Sequence, residues 1–253
     1  MTDHITQSLE NRVLTLTINR PERKNALTQA MYGALADAIN AANDDKAIRA
    51  IIITGEGDMF TAGNDLTDFA SDSERSSGEP PVTRFLNGIR DAETPLIAAV
   101  NGPAVGVGLT MLLHCDLVYA ARSATLSAPF VKLGLVPEAA SSLLLPEAVG
   151  QAVANDIFMT GRALSADEAL QFGLVARVFD DTELADGVGE IALHVANSAP
   201  NALRLTKSLV RHRGSEIAAQ MEREGKLFSD QLGSPDFAES VAAMMQKRAP
   251  VYP

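Results

Sequence analysis

Apolar and polar positions change period along this chain, and the changes mark its elements. Arg12-Val13-Leu14-Thr15-Leu16-Thr17-Ile18 alternates, the period-two pattern of a strand. Asn19-Arg20-Pro21 breaks it. An Ala- and Leu-rich stretch from Thr28 to about Asn43 predicts a helix. Ala50-Ile51-Ile52-Ile53-Thr54 is a short continuous apolar run, which predicts a strand buried on both faces. Gly55-Glu56-Gly57-Asp58 is a turn. Leu96-Ile97-Ala98-Ala99-Val100 predicts another strand, ended by Asn101-Gly102-Pro103, and a helix follows from about Val107. Asp116-Leu117-Val118-Tyr119-Ala120 predicts the next strand. Strands alternating with helices give an α/β architecture with parallel crossovers.

The polar segment from Ser71 to Pro81 contains Gly78, Pro80 and Pro81 and predicts a surface excursion. Ser165-Ala166-Asp167-Glu168 is a capping box, so a helix starts at Ala166. Beyond about Val195 the strands stop. Leu203, Leu205, Leu209, Ile217, Met221, Leu227 and Phe228 then recur as in helices, and Ser234-Pro235-Asp236 opens a last helix through Arg248. The chain divides into a core over residues 1–195 and a helical region over 196–253. No internal repeat or low-complexity tract interrupts it.

Composition narrows the function. The 253 residues are 46% hydrophobic and 21% charged, the balance of an ordinary globular protein. A net charge of −11 argues against a nucleic-acid partner, which needs a basic patch. An anionic small ligand stays possible, because a few local cations suffice. The one cysteine, Cys115, excludes an internal disulfide and reads as a buried small residue. No run approaches the length of a membrane span, and Met1-Thr2-Asp3-His4 does not open a signal peptide. The cytoplasm is the expected compartment. No spaced His, Cys or Asp set suggests a metal site. His4 is terminal, His114 is expected behind the helix that starts near Val107, and His194 and His212 fall in the late helices.

One carboxylate stands out. Glu138, in Leu135-Val136-Pro137-Glu138-Ala139-Ala140-Ser141-Ser142, adjoins an apolar run. Desolvation there raises basicity and suits proton abstraction from a carbon acid. A surface glutamate in a first helical turn, favoured by the dipole, is the plainer alternative. Three further windows bear on the choice: Asn19-Arg20-Pro21-Glu22-Arg23-Lys24-Asn25-Ala26-Leu27, Met59-Phe60-Thr61-Ala62-Gly63-Asn64-Asp65-Leu66, and Ala99 through Gly108 with its Gly106-Val107-Gly108 turn. Their order and spacing, followed by the Gly134-to-Glu138 turn, resemble the crotonase, or enoyl-CoA hydratase/isomerase, superfamily over nearly the whole chain.

The resemblance implies a spiral of ββα units with a helical C-terminal layer that builds a homotrimer or a dimer of trimers. It implies an acyl-CoA thioester substrate, with coenzyme A part of that substrate and no separate cofactor. The backbone N–H groups of Asn64 and Val107 are the implied donors to the thioester oxygen. Arg23 and Lys24 are assigned to the coenzyme A phosphates, with solvated turn charges as the competing reading. Ala26, Ala62, Asp65 and Leu66 are assigned to its adenine and pantetheine, and Lys247 to the phosphates from a neighbouring subunit. Gly106, Phe130, Leu133 and Pro137 are expected around the acyl pocket. For Gly106, Phe130 and Leu133, plain packing is the competing reading. Asp65 also reads as a turn residue that accepts backbone N–H bonds.

The departures choose the branch. Hydratases of this family carry two glutamates where this chain has Thr110 and Phe130. Neither can act as a general base on water, so hydration is expected to be weak or absent. A single acid after the proline, here Glu138, resembles the Δ3,Δ2-enoyl-CoA isomerase branch, as does Gly63-Asn64-Asp65-Leu66-Thr67. Another enolate-type reaction, such as ring-oxepin isomerisation or thioester hydrolysis, and a non-catalytic acyl-CoA-binding relative stay open.

Overall fold

A computed structural model describes residues 2–65, 68, 78–211 and 213–252. The chain starts with a hairpin, β1 (Ile5–Glu10) and β2 (Val13–Ile18), whose turn residues Asn11 and Arg12 both have positive φ. Helix α1 (Gln29–Asp44), strand β3 (Ala50–Gly55) and helix α2 (Pro81–Asp91) follow. Next come β4 (Leu96–Val100), β5 (Ala104–Val105), the single turn α3 (Val107–Thr110), β6 (Leu117–Ala121) and β7 (Thr125–Ser127). After α4 (Ser141–Val149) and α5 (Gln151–Thr160) lie β8 (Leu164–Ser165), α6 (Ala166–Gln171) and β9 (Arg177–Phe179). Four helices finish the described chain: α7 (Leu184–Asn197), α8 (Pro200–Val210), α9 (Gly214–Leu232) and α10 (Pro235–Met245).

The large sheet has the order β1-β2-β3-β4-β6-β9, antiparallel only between β1 and β2. A smaller sheet, β5-β7-β8, forms a second layer. Isolated parallel bridges Leu27↔Asn64 and Thr61↔Ala104 extend that second layer toward the N-terminus. Each pass of the chain therefore leaves the large sheet, pairs briefly in the second layer and returns through helix or loop. That is the ββα spiral.

Both faces of the central strands are covered, which explains their unbroken apolar runs. Ile51, Ile53, Leu96, Ala98 and Val100 point into the main core with α1 and α2. Ile52, Ile97 and Ala99, one residue out of step, pack with Leu184, Val188, Ala192 and Ala196, a four-residue stripe along α7. Thr28 caps α1, accepting the Met31 N–H at 3.3 Å. The capping box at Ser165 is present as the sequence predicts.

Several elements differ from the sequence reading, and the short strands β5, β7, β8 and β9 had no predicted counterpart. Strand β1 was not anticipated; only Ile5 of its six residues is buried, so an edge strand left no alternation to read. Helix α2 begins at Pro81, where the surface excursion was expected to end, and buries Phe85 and Ile89 against α1. The helix expected from Val107 is one α-turn continued by a 3₁₀ turn, Met111–His114. The last helix stops at Met245, short of Arg248.

The C-terminal helices do more than form an outer layer. Lys207 and Arg211 reach Asp116 at 2.8 and 3.0 Å, tying α8 to the start of β6. The same Asp116 carboxylate accepts the Leu96 N–H at 2.7 Å. Among the described residues no helix is long and apolar enough to cross a membrane.

Candidate active site

Glu138 sits in a turn that the chain makes with difficulty. Ala139 and Ala140 both have positive φ, at 59° and 55°, a conformation that costs a non-glycine residue roughly 1 kcal/mol or more. Local bonds hold it. The Ser141 N–H donates to the Glu138 carbonyl at 3.0 Å, and His114 Nε2 donates to the Ala139 carbonyl at 2.8 Å. Burial pushes the His114 pKa down to about 4, so the ring is neutral and serves as a donor at neutral pH. The Glu138 side chain is 8% exposed. Burial raises its pKa to about 7; a hydrogen bond from Thr110 opposes the shift and the Glu224 carboxylate adds to it. A carboxyl group so placed can take up and release protons near neutrality.

Asn64 and Val107 line the same cavity. Gly63 (φ 89°) turns the loop after β3, and a side chain there would strike the Val105 carbonyl at 2.9 Å. The Gly63 N–H donates to Thr61 Oγ1 and its carbonyl accepts from Leu27, while the Asp65 N–H donates to Leu27. Asn64 is left between these bonds. Gly106 (φ 59°, ψ −118°) occupies backbone space that glycine alone enters readily. Its carbonyl accepts the Leu109 and Thr110 N–H groups, and Val107 becomes the first helical residue. The Asn64 and Val107 N–H groups have no hydrogen-bond partner among the described residues. The Asn64 side chain is fixed in turn by the buried Tyr32 hydroxyl.

The cavity measures about 360 Å³. Asn64, Val107 and Glu138 line it, with Gln29 and Tyr32 from α1, Pro81, Val82, Thr83 and Leu86 from α2, and Gly225, Phe228, Ser229 and Leu232 from α9. Glu138 is the only carboxylate among these described lining residues. The walls therefore come largely from α2 and α9, whereas the sequence reading looked to Gly106, Phe130, Leu133 and Pro137. None of those four lines the cavity. Phe130 is buried one layer back, its ring 6.5 Å from that of Phe228, which is the wall. Leu133 packs against the main core. Gly106 shapes the backbone behind Val107, and Pro137 directs the chain into Glu138. A spacing of Phe228, Leu232 and Gly225 along one helix face was readable; that this face closes the site was not.

The loops assigned to coenzyme A lie side by side. Arg23 and Lys24 are exposed on the 3₁₀ turn Pro21–Arg23, and the Lys24 carbonyl accepts the Ala62 N–H at 3.0 Å. Buried Asn25, which the sequence reading passed over, joins the two loops through the carbonyls of Glu56 and Met59. Arg20, also passed over, donates to the Ala26 carbonyl at 3.0 Å and pairs with Asp65 at 2.7 Å. The Asp65 carboxylate is thus engaged with the loop itself, and it also accepts the Asp68 N–H at 3.3 Å. Leu66 lies outside the described residues. Lys247 is exposed past the end of α10 and does not line the cavity within one chain. Among the described residues, no cluster of His, Cys, Asp and Glu fits a metal ion.

Comparison with known proteins bears on the family and the fold. The sequence profile of the family described as Enoyl-CoA hydratase/isomerase matches residues 8–253. A crystal structure of an enoyl-CoA hydratase/isomerase from Pseudoalteromonas atlantica T6c superposes with a TM-score of 0.96 at 56% identity, covering 99% of this chain and 100% of that one. The 1,2-epoxyphenylacetyl-CoA isomerase of Escherichia coli K12 is 35% identical over 100% of this chain and 99% of its own length. Enoyl-CoA delta isomerase 2 of Rattus norvegicus is 39% identical over 82% of this chain and 54% of its own length. Relatives of similar identity include hydratases and dehydratases as well as isomerases. With a profile match over nearly its full length and a spiral fold shared with solved members, the chain belongs to the enoyl-CoA hydratase/isomerase, or crotonase, family.

Proposed function

We propose that this protein is a Δ3,Δ2-enoyl-CoA isomerase in which Glu138 is the sole acid and base. The observation that carries the reading is a single buried carboxylate, with a pKa raised to about 7, on a cavity also lined by Asn64 and Val107, whose backbone N–H groups have no partner among the described residues. The thioester oxygen of a 3-enoyl-CoA sits between the Asn64 and Val107 N–H groups. Glu138 removes a proton from carbon 2, and the electron pair spreads through the dienolate onto that oxygen. Each amide contributes on the order of 3 kcal/mol to holding the developing charge. The same carboxyl returns the proton to carbon 4, and the product is the trans-2-enoyl-CoA. No water is consumed.

Hydration needs a second group to activate water. Thr110 instead spends its hydroxyl on Glu138, and Phe130 is packed behind the cavity wall. Both observations favour isomerisation over hydration. Apolar walls from α2 and α9 suit an uncharged acyl chain, and Arg23 and Lys24 beside Ala26 and Ala62 suit the anionic coenzyme A end. Coenzyme A enters and leaves as part of the substrate, so the reading needs no further cofactor.

Replacing Glu138 with Gln or Ala lowers turnover of a 3-enoyl-CoA by a factor on the order of 10² to 10⁴ while acyl-CoA binding persists. Retention of most of the isomerase activity would defeat the assignment. A second reading is isomerisation of an aromatic-derived acyl-CoA by the same carboxylate. It is favoured by the full-length match to the Escherichia coli epoxyphenylacetyl-CoA enzyme. A substrate panel of straight-chain and ring-derived acyl-CoA esters separates the two.

A further inference from the structure

Glu224 is a second carboxylate buried beside the catalytic turn. It belongs to α9, is 4% exposed and does not line the cavity. Its Oε1 accepts the Ser142 N–H at 3.0 Å and the Ser142 hydroxyl, with Gln220 at 3.5 Å. Helix α4 has no side-chain cap of its own, because Ala140 stands at its N-cap. Glu224 therefore supplies the cap from another element, with its charge at the positive end of the helix dipole. Glu224 Oε2 and Ser141 Oγ are buried polar atoms without a partner among the described residues, and both adjoin this turn. An unpaired buried carboxylate oxygen is costly to keep. For the cap alone, an asparagine or glutamine amide serves without placing a charge there.

We propose that Glu224 is a positioning residue for Glu138: from α9 it clamps the strained 138–142 turn through Ser142 and imposes a negative charge on the acid's surroundings. The inference rests on Glu138 being the proton-transfer group. Among the described residues, the titratable groups around Glu138 are Tyr32 from α1, His114 from the 3₁₀ turn after α3, and Glu224 from α9. Burial holds the Tyr32 hydroxyl well above the ordinary tyrosine range and His114 at about 4, so both are neutral near pH 7. Glu224 is the neighbour whose charge raises the Glu138 pKa. Because α9 also carries Gly225, Phe228, Ser229 and Leu232 of the cavity wall, one helix shapes the acyl pocket and tunes the base opposite.

The test is the pH profile of kcat/KM for a 3-enoyl-CoA in the wild type, Glu224→Gln and Glu224→Ala. The acidic limb reports ionisation of the base, and a like charge nearby raises its midpoint. Glu224→Gln keeps an acceptor for Ser142 and removes the charge, so the limb moves to lower pH. Glu224→Ala moves the limb likewise and also lowers the plateau kcat by about tenfold or more, as the turn loosens. If Glu224→Ala does not fold, Glu224→Gln carries the test. An unmoved limb in Glu224→Gln overturns the proposal, even where melting temperature or plateau rate falls, since a purely structural role predicts that pattern. Glu138→Gln is measured alongside. If it retains activity, the underlying reading fails as well; if it is inactive and the Glu224→Gln limb is unmoved, only the role of Glu224 is lost.

Discussion

At the scale of single residues, the site trades stability for chemistry. The Glu138 pKa of about 7 lies above the ordinary value of 4.5 because burial favours the neutral form. Between these two values the folded protein holds a proton that the unfolded chain has released. Stability from this group therefore falls as pH rises from about 4.5 through about 7 and levels off above. The difference amounts to roughly 3 kcal/mol. Glu138→Gln removes that cost, so its gain in unfolding free energy over the wild type is small near pH 5 and approaches about 3 kcal/mol at pH 8. Denaturant unfolding at the two pH values checks this; an equal gain at both contradicts it. The burial of Glu138 was legible from its apolar neighbours. Its partners were not, because Thr110, His114 and Glu224 are 28, 24 and 86 positions away in sequence (110, 114 and 224 against 138) and only the fold brings them together. Arg20 and Asn25 were passed over for a similar reason: each acts by bonding backbone carbonyls, which leaves no motif.

At the scale of elements, the turns carry the chemistry and the strands carry the turns. Val107 heads a helix of one turn, so its free N–H depends on the backbone of Gly106 (φ 59°, ψ −118°). A side chain at Gly106 meets no atom within 4 Å, which isolates conformation from packing. Gly106→Ala therefore costs about 1–3 kcal/mol of stability or a shifted Val107 amide, and kcat falls by tenfold or more in either event. Wild-type kcat and melting temperature in that variant would contradict the oxyanion assignment. The strands β2, β3, β4 and β6 were legible because burial on both faces demands unbroken or alternating apolar residues. Strand β1 and helix α2 were not. The first lies exposed at a sheet edge, and the second was masked by the two prolines that open it, Pro80 and Pro81.

At the scale of the whole molecule, the spiral brings the turns at Asn64, Val107 and Glu138 around one cavity, and α9 returns from the C-terminal region to close it. The sequence windows picked out the turns of Asn64, Val107 and Glu138, which share the cavity; the closing wall was hidden because an amphipathic helix does not name its partner. The late helices leave apolar residues uncovered: Leu209 is 77% exposed, Val210 74% and Met245 78%. We propose that a homotrimer or a dimer of trimers covers such faces, and sedimentation equilibrium is expected to give about three or six times the 26.8 kDa chain mass. A monomer at micromolar concentration would contradict that expectation. The central claim is that one carboxylate carries a proton from carbon 2 to carbon 4. It is tested most directly by following deuterium from a 3-enoyl-CoA labelled at carbon 2 during turnover in ordinary water. The account predicts that part of the label reappears at carbon 4 of the 2-enoyl product and that Glu138→Gln abolishes the transfer. A dominant 3-hydroxyacyl-CoA product, or label transfer that survives in Glu138→Gln, would contradict it.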